Sequence, residues 1–363
     1  MKDTDTKKKK KWRWIVFVCF IVILAGLWEF TLSRFREEDK EFRQQFRRAV
    51  KRTFPKQAQD VASSYGLICL ESIERTEPAQ APHPPPVVLI HGLDEPGKVW
   101  MNLAPALINA GFDVWEMRYP NDQPITDSAW FFYEELTGLR QIGFGRIIII
   151  AHSMGGLVSR EMLTDPAVAY FEKVRTEEAP QVEELIMVGT PNHGSELARF
   201  RIFTEFRDQW IHLAEGKRLW LRFILDGAGE AKIDLLPGSE FLKTLNSRPH
   251  AESVNMSVIA GLASPLKTEE INSFISSLDQ MLPENTSKKI GEFQGFLNSV
   301  THSLGDGLVT VDSTRLDGIP HQTVSGNHLT MIRNVSKNSE RIPPAVPLIV
   351  EQLKKNHLAS IQK

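Results

Sequence analysis

The sequence has little cysteine and no excess of either charge, and these two shortages exclude several classes of protein. Only Cys19 and Cys69 occur among 363 residues, too few for a disulfide scaffold or a cysteine-rich metal site. The 43 Lys and Arg residues nearly balance 45 Asp and Glu residues, so the net charge of −2 gives no indication of a nucleic-acid partner. A composition of 42% hydrophobic and 24% charged residues is typical of a globular chain.

The amino terminus departs from this balance. Lys7–Lys11 is a block of five lysines, and Trp14–Trp28 contains no charged residue. As a helix, residues 12–30 would span about 28 Å, close to the ~30 Å hydrocarbon core of a bilayer. We predict a basic cytoplasmic tail over 1–11 and a transmembrane signal anchor over 12–30, which places the remaining chain on the outer, periplasmic or extracytoplasmic side. A cleaved signal peptide ending near 31–33 is the alternative, and it also predicts export.

Residues 31–85 separate this segment from the main domain. Between 33 and 56, basic and acidic residues alternate around spaced apolar residues, which predicts a charged helical stalk beside the membrane. A first strand follows, and five prolines between 78 and 86 indicate a stiff linker. The main domain is therefore expected over 86–355.

In the main domain, short apolar runs alternate with helical patterns. The four consecutive isoleucines Ile147–Ile150 predict a strand that is buried on both faces, as in a parallel sheet covered by helices. The pattern favours the α/β class with one doubly wound sheet. We predict strands at 87–90, 112–119, 146–151, 184–189, 254–261 and 322–325, and helices at 99–110, 127–139 and 155–163.

Two stretches interrupt this alternation, at 197–246 and 267–299. The first is rich in Phe and Trp without strand periodicity, and the second has a mostly helical pattern. Aromatic residues at helical spacing usually belong to a core, but long insertions also form mobile lids over apolar sites. The sequence is consistent with both a core segment and a lid.

The segment around Ser153 carries the clearest chemical signal. It follows the isoleucine strand and precedes a helix that opens with Gly155 and Gly156. This is the G-x-S-x-G pattern of a nucleophile elbow, with Ala151 in place of the first glycine. A serine hydroxyl attacks a carbonyl only when it is held clear of the backbone, beside a base and at a helix amino terminus. We interpret Ser153 as a catalytic nucleophile.

A nucleophilic serine also needs donors for the developing oxyanion. The backbone N–H after the nucleophile, that of Met154, is one candidate. The loop after strand 87–90 supplies the other, for which we choose Leu93 because Gly92 lets the backbone come close. His91 lies directly at the strand end, and we interpret it as a structural imidazole rather than the base.

The acid and the base should follow the serine in that order. Asp306 lies in a glycine-flanked turn, and His328 follows the last short strand. Asp306 would fix the tautomer of His328, which would take the proton of the serine. Rival candidates are Asp312 and Asp317 for the acid and His302 and His321 for the base.

Taken together, these motifs resemble those of the α/β-hydrolases, in the bacterial lipase branch related to lecithin–cholesterol acyltransferases and GPI inositol-deacylases. The resemblance covers about 86–335. It implies the α/β-hydrolase fold, a mostly parallel doubly wound sheet with helical lid insertions, here preceded by the predicted transmembrane helix. It also implies a Ser153–Asp306–His328 triad with Leu93 and Met154 as oxyanion donors. The segments that carry it are 88–92, 151–156, 189–195, 306–309 and 327–329.

The sequence departs from lipases of the Pseudomonas type at one position. Those lipases place a calcium-binding aspartate two residues after the histidine, where this chain has Thr330. A lone threonine is a poor ligand for a hard cation that prefers carboxylates. We expect neither a calcium requirement nor any other cofactor. His193, in the segment 189–195, is expected to be structural.

The predicted function is that of a membrane-anchored serine hydrolase acting on carboxylic esters. The anchor and the aromatic insertion favour a lipid or another acyl ester as the substrate. Thioester or amide cleavage and acyl transfer use the same triad, and a catalytically dead binding module on this fold is the alternative of another class. No nucleic-acid partner is expected, and the sequence does not indicate an oligomeric state.

Overall fold

A computed structural model of the chain describes the following residues: 45, 48, 52, 53, 55, 56, 59, 63–71, 84–93, 97–195, 230–263, 305–336 and 338–358. The elements given below all belong to the unit Val50–Lys363. In the described ranges, no helix has the length and apolar character needed to cross a membrane. The predicted tail and anchor over 1–30, most of the stalk and linker, and the insertion at 267–299 lie outside the described residues.

Seven strands in the described part of the chain form one sheet, in the order β1-β3-β2-β4-β5-β6-β7. Strand β1 pairs with β3 in antiparallel fashion, and every other neighbouring pair is parallel. The mostly parallel, doubly wound sheet that the sequence predicts is confirmed. The strands are β1 Gly66–Glu71, β2 Val87–Ile90, β3 Val114–Arg118, β4 Arg146–His152, β5 Gln181–Val188, β6 Asn255–Leu262 and β7 His321–Ser325.

Helices connect the strands. The single helix predicted over 99–110 is instead a 3-10 turn, Lys98–Trp100, followed by a separate α-helix. Pro105 explains the break, since it has no N–H to bond the carbonyl of residue 101 and is tolerated only in the first turn of a helix. The helices are α1 Leu103–Asn109, α2 Ile125–Gln141, α3 Met154–Thr164, α4 Tyr170–Arg175, α5 Glu230–Asp234, α6 Glu240–Ser247, α7 Val311–Thr314 and α8 Ala345–Leu353, which continues as a π-helical turn, Lys354–Leu358.

The isoleucine strand β4 lies at the centre of the sheet and divides its side chains between two apolar layers. Ile147 and Ile149 belong to the layer that includes residues of α2 and α3, and Ile148 and Ile150 to the layer that includes residues of α1 and α8. All four are fully buried. Burial of a side chain of this size stabilises a fold by roughly 1.5–3 kcal/mol. The two-sided burial predicted from the continuous apolar run is confirmed.

The described end of the first predicted insertion, residues 230–246, is part of the core. Helix α6 begins at a Ser239 cap, whose Oγ accepts a hydrogen bond from Leu242 N at 3.2 Å. Its apolar face, which carries Phe241, Leu242 and Leu245, is buried in the same layer as Ile147 and Ile149. Of the two interpretations of this stretch, core packing holds for its described part.

The topology brings the predicted site residues to one edge of the sheet. The carboxyl ends of β2, β4 and β7 lie at this edge because these strands run parallel. Leu93 follows β2, Ser153 follows β4 and His328 follows β7. In open α/β sheets this edge is where ligands bind.

Candidate active site

Ser153 occupies a strained turn between β4 and α3. Its backbone dihedrals are φ 53° and ψ −127°, and a positive φ is uncommon for a residue with a side chain. Backbone hydrogen bonds hold the turn on both sides, since Ser153 N donates to Val188 O at 2.8 Å and Gly156 N donates to Ser153 O at 3.1 Å. The strand, the strained serine and the helix together form the geometry of a nucleophile elbow.

The glycines around this turn are required by close backbone approach. A Cβ added at Gly155 would overlap Ile90 O and lie 2.8 Å from His91 O, and one at Gly156 would overlap the Thr190 side chain. Real Cβ atoms essentially never make contacts this short. The amino terminus of α3 therefore packs directly against the backbone of β2.

Asp306 and His328 form a direct acid–base pair. His328 Nδ1 donates a hydrogen bond to Asp306 Oδ2 at 2.7 Å. The other carboxylate oxygen, Oδ1, accepts from Leu308 N at 2.9 Å and from Val309 N at 2.8 Å. Asp306 is 1% exposed and His328 6%. The acid is thus held on both oxygens, which fixes the direction in which it faces the imidazole.

The serine and the histidine lie at the same edge of the sheet without a direct bond. Among the described residues, Ser153 Oγ makes no hydrogen bond to His328. The neighbouring residue His152 does contact His328, with ring centroids 4.7 Å apart. A Cβ at Gly189, which follows β5, would lie 3.2 Å from both Asp306 Oδ2 and His328 Cε1. In sites without substrate, catalytic hydrogen bonds are often long and tighten only in the complex.

The loop after β2 lies directly against Ser153. A Cβ added at Gly92 would lie 2.6 Å from Ser153 Cβ and 3.1 Å from its Oγ. The predicted oxyanion donors Leu93 and Met154 border this contact along the chain. Neither backbone N–H donates a hydrogen bond to another residue in the described part of the chain. Both donors are therefore available to an acceptor placed beside the serine.

The side chain of His91 holds the same loop, which follows β2. Its Nδ1 donates to Gly92 O at 2.8 Å, and its ring stacks on Tyr119 with centroids 4.8 Å apart. Tyr119 in turn donates its hydroxyl to His91 O at 2.7 Å. Burial lowers the pKa of His91 to about 4, so the ring is neutral near pH 7. These contacts agree with the structural role expected for His91.

The rival acids do not reach the histidine. Asp312 is exposed and forms an ion pair with Arg315 at 3.5 Å, and Asp317 is exposed as well. Neither forms a hydrogen bond with His328 in the described structure, whereas Asp306 forms two, one of them through its backbone carbonyl. Of the three candidates, the structure brings only Asp306 to the imidazole.

The other histidines considered have partners of their own or are not described. His321 Nε2 lies 2.8 Å from Thr314 Oγ1, and burial lowers the pKa of His321. His193 is exposed and donates from Nε2 to Arg315 O at 3.1 Å. His302 lies outside the described residues. His193 thus bonds a backbone carbonyl, as expected for a structural residue.

Sequence reasoning missed a buried polar network that fixes the segment 189–195 beside the site. Arg160 of α3 donates to Asn192 Oδ1 at 2.9 Å and to Asn246 Oδ1 at 3.0 Å. Asn192 Nδ2 donates to Thr314 O at 2.7 Å. Burial lowers the pKa of Arg160 to about 10. The signal in the sequence was the pair of charged residues Arg160 and Glu161 on a mostly apolar helix, which does not specify their partners.

The turn that carries His328 is closed by its own side chains. Asn327 Oδ1 accepts from Leu329 N at 3.1 Å and Thr330 N at 2.8 Å, and Thr330 Oγ1 accepts from Asn327 N at 2.9 Å. In the ranges that the structure describes, no group of three or more His, Cys, Asp and Glu residues could hold a metal ion. The absence of a cofactor stays a prediction.

The chain is similar to several solved structures. Among solved structures, it is similar to the mature lipase BlEst2 of Bacillus licheniformis, with 20% identity, coverage of 79% of this chain and 97% of that one, and a TM-score of 0.49. The phospholipase PlaB of Legionella pneumophila has 17% identity and a TM-score of 0.46, and the match covers 77% of this chain and 62% of that one. The lipase of Staphylococcus hyicus has 14% identity and a TM-score of 0.46, and the match covers 78% of this chain and 99% of that one.

A comparison with curated proteins found no match. A family model described as the alpha/beta hydrolase family matches residues 87–283, more than half of the chain. The matched range begins at β2 and includes the elbow at Ser153. The chain therefore belongs to the α/β hydrolase family.

Proposed function

We propose that this protein is a serine hydrolase that cleaves carboxylic esters through an acyl-enzyme. The observation that supports this most is the 2.7 Å hydrogen bond between His328 and Asp306 at the sheet edge that also carries the strained Ser153. The order of the three residues along the chain is that of an α/β-hydrolase triad. Acid, base and nucleophile each have a separate role in the reaction.

The hydrogen bond to Asp306 decides which nitrogen of His328 acts as the base. A carboxylate only accepts hydrogen bonds, so the proton of the neutral imidazole lies on Nδ1 and the lone pair on Nε2. Nε2 would take the proton of Ser153 as its oxygen attacks the acyl carbonyl. The carboxylate then stabilises the imidazolium that forms. His328 returns the proton to the leaving alkoxide, which departs as the alcohol.

Two backbone N–H groups would stabilise the tetrahedral oxyanion. In our proposal these are the N–H groups of Leu93 and Met154, the residues that directly follow Gly92 and Ser153, which are in contact. The amino terminus of α3 adds the positive end of its dipole at the same place. A water molecule, deprotonated by His328, then hydrolyses the acyl-enzyme and restores the serine. Removal of one such donor typically slows an enzyme by about 10²–10³-fold.

The proposed substrate is a lipid or another acyl ester, and the proposed location is a membrane with the catalytic domain on its outer side. Two sequence features support this. Residues 12–30 have the length and apolar character of a signal anchor, and the stretch 197–229 is rich in Phe and Trp. A tethered hydrolase meets substrates that are themselves concentrated in the bilayer. Both proposals rest on sequence outside the described residues.

Active-site labelling tests the proposed nucleophile. The full-length chain in detergent micelles is treated with a fluorophosphonate probe, which reacts only with activated serines. We expect rapid labelling of the wild type and none of Ser153→Ala. Ser159→Ala is the matched control, because Ser159 lies on α3 and its Oγ donates to Gly155 O at 2.8 Å; it should label as the wild type does. Equal labelling of Ser153→Ala removes Ser153 from the role.

An ester series tests the substrate class. p-Nitrophenyl esters from acetate to palmitate, offered to the wild type and Ser153→Ala, should be hydrolysed by the wild type alone, with kcat/KM rising with acyl length. A folded wild type that hydrolyses no ester and does not label supports a binding module and overturns the proposal. Formation of a new ester in the presence of an added alcohol, in preference to hydrolysis, assigns acyl transfer instead.

A further inference from the structure

His152, the residue before the candidate nucleophile, is bonded to the candidate base. It is the last residue of β4 and is fully buried. Its Nε2 lies 2.9 Å from the backbone oxygen of His328. A carbonyl oxygen only accepts hydrogen bonds, so Nε2 carries the proton and donates it. The two imidazole rings lie against each other, with centroids 4.7 Å apart and planes inclined by 47°.

This bond is the direct tie between the base and the strand that carries the nucleophile. His328 lies on a loop after β7, and its other hydrogen bonds to described residues both lead to Asp306. They run from His328 Nδ1 to Asp306 Oδ2 at 2.7 Å and from His328 N to Asp306 O at 2.9 Å. In the part of the chain that the structure describes, residue 328 makes no other hydrogen bond to β4. Without His152, the acid–base pair would lose its direct hydrogen bond to the strand that ends beside Ser153.

Packing alone does not explain a histidine at this position. Its Nδ1 is buried and has no hydrogen-bond partner in the described structure, and the nearby Trp100 presents its ring at right angles, 6.5 Å between centroids. A buried polar atom without a partner costs about 1–3 kcal/mol relative to an apolar side chain of the same shape. A leucine or methionine would avoid that cost. Compared with these residues, the histidine adds one interaction, the hydrogen bond from Nε2 to His328 O.

The protonation state of His152 suits this role. Burial, together with the neighbouring His328, lowers its pKa to about 3. The ring is therefore neutral at the pH at which a serine hydrolase works, and its single proton is committed to the carbonyl. A neutral neighbour also adds no positive charge beside the imidazolium that His328 becomes during the reaction.

We propose that His152 is a positioning residue, whose Nε2–H fixes the backbone carbonyl of His328 and thereby holds the imidazole at its working distance from Ser153. The inference rests on the proposed function, in which His328 is the base. It assigns no contact with substrate to His152. A displacement of about 1 Å at a reacting group slows an enzyme by about a hundredfold, so loss of this bond should affect turnover more than substrate binding.

Two substitutions at this position separate the hydrogen bond from the packing. His152→Gln places an amide N–H near the position of Nε2, whereas His152→Leu fills a similar volume without a donor. Ile149→Val is the matched control, because it removes one methyl group from the same buried strand and leaves His152 intact. We expect kcat on a p-nitrophenyl ester to fall about ten- to a hundredfold in His152→Leu, with KM within about twofold of the wild type. His152→Gln and Ile149→Val should retain kcat within about threefold of the wild type.

A second measurement does not depend on activity. The proton between His328 Nδ1 and Asp306 should give a low-field ¹H NMR resonance in the wild type, assigned by its loss in His328→Gln. We expect this resonance to persist in His152→Gln and Ile149→Val and to shift or broaden in His152→Leu. An inactive wild type overturns the proposed function, and the resonance still tests the positioning role on its own.

Three results overturn the inference. The first is a His152→Leu variant that is folded and turns over at the rate of the wild type well below its melting temperature. The second is a folded His152→Gln variant as slow as His152→Leu, which would show that the donor is not what matters. The third is an unchanged low-field resonance in His152→Leu.

Discussion

Asp306 Oδ2 accepts a hydrogen bond from His328 Nδ1 at 2.7 Å, although the two residues are 22 positions apart along the chain. The short distance arises because the turn that carries Asp306 packs against the end of β6. A Cβ added at Gly261 of that strand would lie only 2.7 Å from Asp306 Cβ. The sheet thus places the acid, and the acid orients the imidazole.

Asp306→Asn should therefore abolish most activity without unfolding the protein. The asparagine amide can donate to Nδ1, which would move the imidazole proton to Nε2 and remove the base. We expect kcat to fall about 10⁴-fold, the size of effect known for a triad aspartate replaced by asparagine. Ester hydrolysis and circular dichroism measure activity and fold in the same preparation.

Asp312→Asn is the matched control for that substitution. Asp312 is one of the rival acids from the sequence, and its side chain is 82% exposed. Its activity should stay within about twofold of the wild type, since surface ion pairs of this kind contribute little. If Asp312→Asn is the inactive variant and Asp306→Asn the active one, the assignment of the acid is wrong.

The sequence predicted the parts of the site that depend on local pattern. A continuous apolar run, Ile147–Ile150, followed by a serine and two glycines specifies a buried strand, a sharp turn and a helix. Each of these elements is present. The choice of Asp306 and His328 followed from the order of acid and base after the serine and from the resemblance to α/β-hydrolases, and the structure joins the two.

The features that the sequence did not reveal depend on contacts between distant segments. His152 meets a carbonyl 176 residues away, and Arg160 meets Asn192 and Asn246, 32 and 86 residues away. A single histidine or arginine in an apolar pattern does not indicate its partner. The core role of 230–246 was likewise undecided, because aromatic residues at helical spacing suit both a core and a lid.

The glycine after Met154 should be irreplaceable for a geometric reason. An alanine at Gly155 would overlap Ile90 O, which belongs to a strand backbone and cannot move aside as a flexible side chain can. We expect Gly155→Ala to lower the free energy of unfolding by about 1–3 kcal/mol, as overpacking of a core does, and to remove activity. Urea denaturation and ester hydrolysis test the two effects.

Gly138→Ala is the opposite case and serves as the control. Gly138 lies in the helix α2, and a Cβ there meets nothing within 4 Å. Replacing a helical glycine by alanine stabilises a protein by about 0.4–1 kcal/mol. A Gly155→Ala variant as stable as Gly138→Ala would show that α3 can move away from β2, contrary to the packing described.

A chelator should leave the stability of the protein unchanged. The turn with His328 is closed by side chains of Asn327 and Thr330, with hydrogen bonds of 2.8–3.1 Å. Thr330 occupies the position at which lipases of the Pseudomonas type have a calcium-binding aspartate. We expect thermal unfolding curves with EDTA and with added calcium to superimpose. By contrast, Asn327→Ala should destabilise the turn and lower activity. A large fall in melting temperature with EDTA contradicts the expectation of no calcium requirement.

Acid pH should destabilise the fold through its buried histidines. Burial lowers the pKa of His91 to about 4 and that of His152 to about 3, from the ordinary value of 6.5. Below pH 6.5 the unfolded chain binds a proton at each position and the folded protein does not. Stability is therefore complete above pH 6.5 and declines as the pH falls, by about 1.4 kcal/mol per pH unit for each histidine, until about pH 4 for His91.

His91→Phe isolates one of these contributions. Phenylalanine keeps a ring beside Tyr119, whose centroid lies 4.8 Å from that of His91, but does not titrate. Free energies of unfolding from urea titrations at pH 4.5, 5.5 and 6.5 should decline less steeply in the variant than in the wild type, by about 1.4 kcal/mol per pH unit. All other groups are common to the two proteins and cancel in the difference. The difference between the two slopes reports the protonation of His91 alone. If the free energies of unfolding of the two proteins decline in parallel, His91 is protonated in the folded state. The proposal that a neutral His91 ring holds the loop before Leu93 would then be wrong.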